Sequence, residues 1–240
     1  MTGKNRTDGD LFEVLARVST CIIASAIETM HVRLPNTGFS DPSIRCIFKD
    51  RGPIAGYAAT LRIRSANPPI EGGTFYESPG FFSRTDWWDY VLSVSSPRIA
   101  VIEDIDHPPG LGAFIGEVHA HILRAMGCIG LVTNGGVRDL VELEQIGIQM
   151  FAGKISISHA YAHVVDFGGP VRVGGVTIQH GDLIHGDRHG IQTIPPEVSE
   201  RLPFAAQEIE RRRRRLIELC QAPDFSAERL RQGLKSDLPG

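Results

Sequence analysis

The residues with the most chemistry in them stand in the middle of the chain: Gly116-Glu117, then Asn134-Gly135-Gly136-Val137-Arg138-Asp139, then Glu142. A guanidinium grips a planar carboxylate through two parallel hydrogen bonds. A neighbouring carboxylate suits a hard cation such as Mg²⁺, which prefers oxygen ligands and keeps several waters. Arg138 beside Asp139 can therefore hold and polarise a 2-oxo acid, with the arginine on the carboxylate and a metal on the oxo group. The same residues have a purely structural reading. Asp139-x-x-Glu142 has the spacing of a capping box, with Asp139 as N-cap and Glu142 reaching back. Gly135-Gly136 is then a turn and Arg138 a surface residue. Spacing alone leaves both readings open.

The surrounding elements must bring these residues together. Arg98 to Ile102 and Ile129 to Thr133 read as strands, and Leu111 to Met126 and Arg138 to Ile146 as helices. Strands separated by helices of this length argue for a parallel βαβ core. The double glycine before Arg138 then lies where open α/β sheets bind ligands, beyond the carboxyl end of a strand. Upstream, Leu11, Phe12, Leu15 and Val18 follow the helical period, and Ser19-Thr20 marks a fresh helix start. Ile44, Cys46 and Phe48 alternate as in a strand, and so do Leu61 and Ile63. Downstream, Val171, Val173, Val176 and Ile178 alternate around Gly174-Gly175, as in a hairpin. The tail from Glu197 is helical. One α/β domain over residues 1–196 with a helical extension over 197–240, expected to make a subunit contact, is the economical organisation.

Composition narrows the class. In 240 residues, 25 Lys and Arg face 28 Asp and Glu, a net charge of −3 that makes nucleic acid or an anionic membrane a poor default partner. No apolar run approaches the ~18 residues of a membrane span, and the polar start lacks the apolar stretch of a signal peptide. The expectation is a soluble cytoplasmic protein. Arg211 to Arg215 invite a phosphate-binding reading, but nine Lys/Arg against eight Asp/Glu leave residues 197–240 only +1. Five consecutive positions also wrap all round a helix, so a solvated helix or subunit contact is the expectation. Cys21, Cys46, Cys128 and Cys220 show no metal or redox spacing and read as small buried hydrophobes.

The stretch GEVHAHILRAMGCIGLVTNGGVRDLVELEQIGIQMFA (116–152) resembles the signature of the family named for the regulator of ribonuclease activity A. That family includes divalent-metal-dependent 4-hydroxy-4-methyl-2-oxoglutarate aldolases that also decarboxylate oxaloacetate. A second block, VGGVTIQHGDLIHGDRHGIQTIP (173–195), looks like the family's closing β segment. The resemblance implies an α/β fold, a β/β/α swivelling-domain-like sandwich with a mixed sheet, carrying helical N- and C-terminal extensions here. It also implies homotrimers or hexamers with sites at subunit interfaces. Arg138 would bind the carboxylate of the pyruvate unit, and Gly116, Glu117, Val118 and His119 would offer backbone N–H groups to it. Asp139 would ligate Mg²⁺ or Mn²⁺, Glu117 would orient a metal-bound water, and Glu142 would stand behind them. A further acid would come from a neighbouring chain, with Glu208 and Glu210 as candidates.

The sequence departs from the aldolase pattern at His119 and His121. Residues two apart on a helix point about 200° away from each other, so this pair does not chelate one metal. His159 and His163 are four apart and share a face in helix or strand. Asp187-Arg188-His189-Gly190 reads as a polar turn. For His159, His163 and His189 turn or interface contacts are the expectation. The resemblance leads to a lyase acting on a small 2-oxo acid through a pyruvate enolate. Its rivals are a non-catalytic protein that binds and regulates a ribonuclease, and a related lyase with another substrate.

Overall fold

A computed structural model describes residues 8–69 and 79–236. The chain opens with two short helices, α1 (Asp8–Leu15) and α2 (Thr20–Glu28). Ser19 separates them, and its hydroxyl accepts the Ile22 N–H as the N-cap of α2. Strands β1 (Arg45–Cys46) and β2 (Ile54–Arg64) follow, then α3 (Pro79–Ser93) and β3 (Arg98–Asp104). The central stretch runs β4 (Ala113–Ile115), α4 (Glu117–Ala125), β5 (Cys128–Val137), α5 (Leu140–Ile146) and β6 (Gln149–Ile155). Strands β7 (His163–Phe167), β8 (Val171–Val173), β9 (Val176–Ile178), β10 (Leu183–Asp187) and β11 (Gly190–Ile194) come next. Helices α6 (Leu202–Gln221) and α7 (Ala227–Ser236) end the described chain. None of its helices is long and apolar enough to cross a membrane.

Among the described residues, nine strands form one mixed sheet in the order β1-β6-β5-β3-β2-β10-β11, with β4 also on β5 and β7 also on β2. Its centre, β2-β3-β5-β6, is parallel, and its outer pairs are antiparallel. Strand alternation sorts the core. Ala100 and Ile102 of β3 face α3, α4 and α5 through Trp87, Leu123 and Leu143. Ile99 and Val101 face the β8–β9 hairpin through Val171, Val173, Val176 and Ile178. That hairpin turns on Gly174 and Gly175, both at positive φ, as a two-residue turn of matching twist requires. A third cluster packs α1, α2 and the first turns of α6 onto Ala55, Leu183 and Ile194. The result is a mixed α/β sandwich with helices at both termini, the expected fold class.

Several expectations need correction. Residues 111–126 are not one helix: Ala113–Ile115 pairs with the far end of β5, and the helix begins only after Gly116. Strand β5 runs on to Val137 because the small Gly135-Gly136 lets β4 and β6 flank it closely. A Cβ on Gly136 would lie 2.1 Å from the Ser156 hydroxyl oxygen. The alternation of Ile44, Cys46 and Phe48 yields a two-residue strand, with all three side chains buried. Of the cysteines, Cys46 and Cys128 are buried as expected, but Cys21 and Cys220 are exposed.

Candidate active site

The end of β5 delivers Arg138 and Asp139 to the start of α4. The Arg138 N–H donates to Ile115 O at 3.1 Å, which ties this corner to β4. Asp139 then adopts φ 58°, ψ 46°, a left-handed conformation that costs a non-glycine residue energy and that Asp tolerates better than most. Its carboxylate does not cap its own helix. It points back instead: Oδ2 accepts the Glu117 N–H at 3.0 Å, and Oδ1 accepts from Arg138 Nε at 2.9 Å. The capping-box reading therefore fails at Asp139. Glu142 lies exposed in the first turn of α5.

This arrangement requires glycine at 116. A Cβ there would stand 2.5 Å from Asp139 Oδ2 and 3.2 Å from Arg138 Cγ. The Asp139 carboxyl is held below the usual carboxylate range, first by the Glu117 N–H and then by Arg138, with the charge of His159 contributing. It stays ionised, and its side chain is 27% exposed beside an Arg138 that is 32% exposed. Arg138 spends only Nε on Asp139. Among the described residues no hydrogen bond or ion pair engages its two terminal nitrogens. The first N–H groups of α4 have no acceptor inside the helix, and their end of the helix dipole is positive.

The other expected residues fall in different places. Val118 is 72% exposed on the first turn of α4. The His119 ring stacks on Phe114 with centroids 5.0 Å apart, and Phe114 in turn meets Trp87 edge-on in the core. His121 is exposed on α4. No one helix or strand carries both His159 and His163: His159 sits in the turn after β6 and bonds to Ala113 O, while His163 begins β7 and bonds to Tyr161 O. Asp187 to Gly190 form the β10–β11 turn, where Asp187 accepts from the His189 N–H and ring. Glu208 pairs with Arg211 on α6, as suits a solvated helix.

Sequence reasoning missed the polar network behind the corner. Asp104, 1% exposed at the end of β3, accepts from Ser65 Oγ (2.9 Å) and the Gly110 N–H (2.8 Å). Its backbone pairs both ways with the Asn134 side chain. Burial pushes the Asp106 carboxyl up, but the N–H groups of Ser65 and Ala66 and the charge of Arg64 bring it below its ordinary value. The network fixes the ends of β2, β3 and β5 and the 107–112 loop that feeds β4. An Asp-x-Asp at a strand end followed by Pro108-Pro109-Gly110 was the available signal.

The RraA-like (Aldolase/RraA) family model matches residues 20–192. A protein of Halalkalibacterium halodurans whose curated name proposes a 4-hydroxy-4-methyl-2-oxoglutarate aldolase is 29% identical over 84 residues. That match covers 35% of this chain and 40% of the relative's length. An uncharacterized protein from Pseudomonas syringae pv. tomato str. DC3000 has the same fold over 98% of both chains, at TM-score 0.71 and 17% identity. Streptomyces coelicolor RraAS2, an unusual member of the RNase ES inhibitor RraA protein family, matches at TM-score 0.66 and 18% identity. That alignment covers 87% of this chain and 96% of the other. At such identities the two structures speak for the fold alone.

Proposed function

The chain belongs to the RraA-like family, and from that membership and the Arg138–Asp139 corner we propose that it is a divalent-metal-dependent carbon–carbon lyase. Its substrate is a small 2-oxo acid cleaved through a pyruvate enolate, as in 4-hydroxy-4-methyl-2-oxoglutarate aldolases that also decarboxylate oxaloacetate. One observation carries the reading. Asp139 accepts a strained backbone conformation in order to hold an ionised carboxylate at the start of α4, beside a guanidinium whose two ends are unengaged among the described residues. A helix cap needs neither.

The donor set fits a hard cation. Each Asp139 oxygen accepts one hydrogen bond and keeps lone pairs for another partner. Among the described residues no three His, Cys, Asp or Glu side chains converge on a point. A lone ionised carboxylate, with Glu117 at the adjoining helix start, suits Mg²⁺ or Mn²⁺ retaining most of its water rather than a cation that wants several nitrogen or sulfur ligands. Asp139 would hold the ion, Glu117 would reach it through a water, and Glu142 would steady that water shell. Bound there, it supplies Lewis-acid stabilisation of the charge that develops on the oxo oxygen, worth several kcal/mol.

The chain's own groups do the rest. Arg138 binds the substrate carboxylate with its terminal nitrogens, a planar two-bond contact that orients the C–C bond to be broken. The start of α4, whose Glu117 N–H stays on Asp139, adds the positive end of a helix to the same carboxylate. The aromatic stack under His119 keeps one wall rigid. A second copy of the chain completes the site in a homotrimer or hexamer. Leu111, Val118, Val141, Ile155 and Ile157 flank the corner in sequence and are all exposed, Ile157 at 96%, and apolar exposure of this kind marks an interface. Glu208 and Glu210 are the candidates for an acid supplied across it.

Thermal unfolding with Mg²⁺ and oxalate, a planar mimic of the pyruvate enolate, tests the proposal. Both together raise the melting temperature, EDTA removes the rise, and Arg138→Ala abolishes it. A ligand at 100 times its Kd stabilises by about 2.7 kcal/mol, a readily measured amount. No shift with either metal removes the enolate site and leaves a protein-binding regulator as the better account.

A further inference from the structure

Helix α6 outruns its support. Its 20 residues pack on α2, which has 9, and only Leu202, Pro203 and Ala206 of α6 are buried. Beyond these first turns a stripe continues at helical spacing, with Ile209, Arg212, Arg213, Leu216, Ile217 and Cys220 on one face. That face and Cys21, Ile22 and Ser25 of α2 bound an open groove of about 790 Å³, the size of a small-molecule site.

Two positions break the stripe. At 212 and 213 the helical period calls for apolar side chains, and arginines stand there. Their stems can lie along the groove while the guanidinium groups stay at its surface. Among the described residues their charge is unanswered. The adjacent Arg211 takes Glu208, but no hydrogen bond or ion pair engages Arg212 or Arg213, and no carboxylate lines the groove. Apolar walls with two unanswered guanidinium groups are complementary to a molecule that has a hydrocarbon body and an anionic head.

Other occupants fit less well. A second copy laid antiparallel on this face would bring the arginines of both copies together near its middle, where like charges repel. A neutral apolar ligand would cover the two guanidinium groups without pairing them, which is costly. The seven residues from Arg213 to Cys220 rise ~10 Å, room for an alkyl chain of medium length. We propose that the groove between α2 and α6 binds a free alkyl carboxylate, its head on Arg212 and Arg213 and its chain along Leu216, Ile217 and Cys220. The two helices pack on Ala55, Leu183 and Ile194 of β2, β10 and β11, whereas the Arg138–Asp139 corner stands at the end of β5. This site therefore does not rest on the lyase reading.

The cysteines make the groove readable. Cys21 and Cys220 are exposed and line it, whereas Cys46 and Cys128 are buried. Iodoacetamide alkylates Cys21 and Cys220 of the native protein, followed peptide by peptide by mass spectrometry. Decanoate, below its micelle concentration, slows both by about 10-fold once it reaches ten times its Kd. Decyltrimethylammonium, with the same chain and a cationic head, leaves both rates unchanged. Replacing the two surface arginines together, Arg212→Gln with Arg213→Gln, weakens decanoate binding by roughly 10-fold or more, the scale of a lost charge-assisted contact. Ile217→Asp, at a position 45% exposed, abolishes protection, and both variants melt close to the parent. Equal protection by the cationic amphiphile, or protection that survives loss of both arginines, overturns the proposal. Thiols that stay unlabelled without decanoate overturn it too, because the groove is then covered by a second copy or by this chain. Protection by phosphatidylglycerol vesicles but not by decanoate overturns it in favour of a membrane-facing surface.

Discussion

Two aspartates in this molecule do nearly the same thing at two helix starts. Asp139 accepts the N–H of Glu117, the first residue of α4, and Asp187 accepts the N–H of Thr20, the first residue of α2. Each approaches from the end of a remote strand and holds its helix there. At Asp187 every remaining partner is internal. Its second oxygen takes the His189 N–H and ring, its side chain is 8% exposed, and buried His185 below it donates Nε2–H to Leu15 O and accepts from Thr20 Oγ1 at Nδ1. At Asp139 the second oxygen takes only a neighbour's Nε, the backbone is left-handed, and the side chain is 27% exposed. A carboxylate closed in on all sides is a joint. One left half open beside a half-used guanidinium is a place for a ligand.

Exchanging the two tests the distinction most severely. Asp139→Ala lowers turnover by at least ~10²-fold, the scale of losing a preorganised charge at a reacting centre, and leaves the melting temperature close to that of the parent. Asp187→Ala does the reverse. It strands the Thr20 and His189 N–H groups and costs about 1–3 kcal/mol of stability in a denaturant titration, with turnover of the folded fraction retained. If both variants lose stability and keep activity, the two regions are the same kind of feature.

Gly116→Ala sharpens the comparison from the other side. The new Cβ would press on Asp139 Oδ2, displacing it by a fraction of an ångström to an ångström, and misplacement on that scale can cost ~10²-fold in turnover. Steady-state kinetics beside a thermal melt separates that loss from unfolding.

Acid acts first on the joint. Burial holds His185 below the ordinary histidine value, so the unfolded chain takes up a proton near pH ~6.5 that the folded chain resists. Stability is full above that pH and falls as the pH drops below it. The carboxyls of Asp106, Asp139 and Asp187 are depressed, so their contributions persist down to about pH 4 and are lost below it. Denaturant midpoints between pH 4 and 8 show the histidine step, and His185→Gln flattens it. The smallest effect is a chemical label. Cys21 and Cys220 react with a thiol reagent in the native state, whereas Cys46 is buried and Cys128 is buried with its thiol pushed up to about 12, so both wait for unfolding.

The corner was legible because it is local. Arg138 and Asp139 are adjacent, the double glycine precedes them, and the helix start they address lies 22 residues upstream, across one helix, one turn and one strand. The sandwich was legible in the alternation of β3 and of the Gly174-Gly175 hairpin. What could not be read is what depends on long-range contact. Spacing cannot show whether Asp139 faces its own helix or another, because φ 58° is set by packing against Gly116. Ala113–Ile115 has the composition of a helix start and becomes a strand only because β5 runs past Thr133 to meet it. His159 next to His163 suggested a shared face, and the left-handed Ala160 between them parts the two. The network of Asp104 with Ser65 and Asn134 joins residues 30 and 39 apart, and no periodicity signals it.

The most direct measurement is pyruvate release from oxaloacetate by the unmodified protein with Mg²⁺ or Mn²⁺, with and without EDTA, beside Arg138→Ala and Asp139→Ala. The account predicts release above the metal-only background that EDTA stops and that both substitutions remove. Release at background level, or release that survives both substitutions, contradicts it.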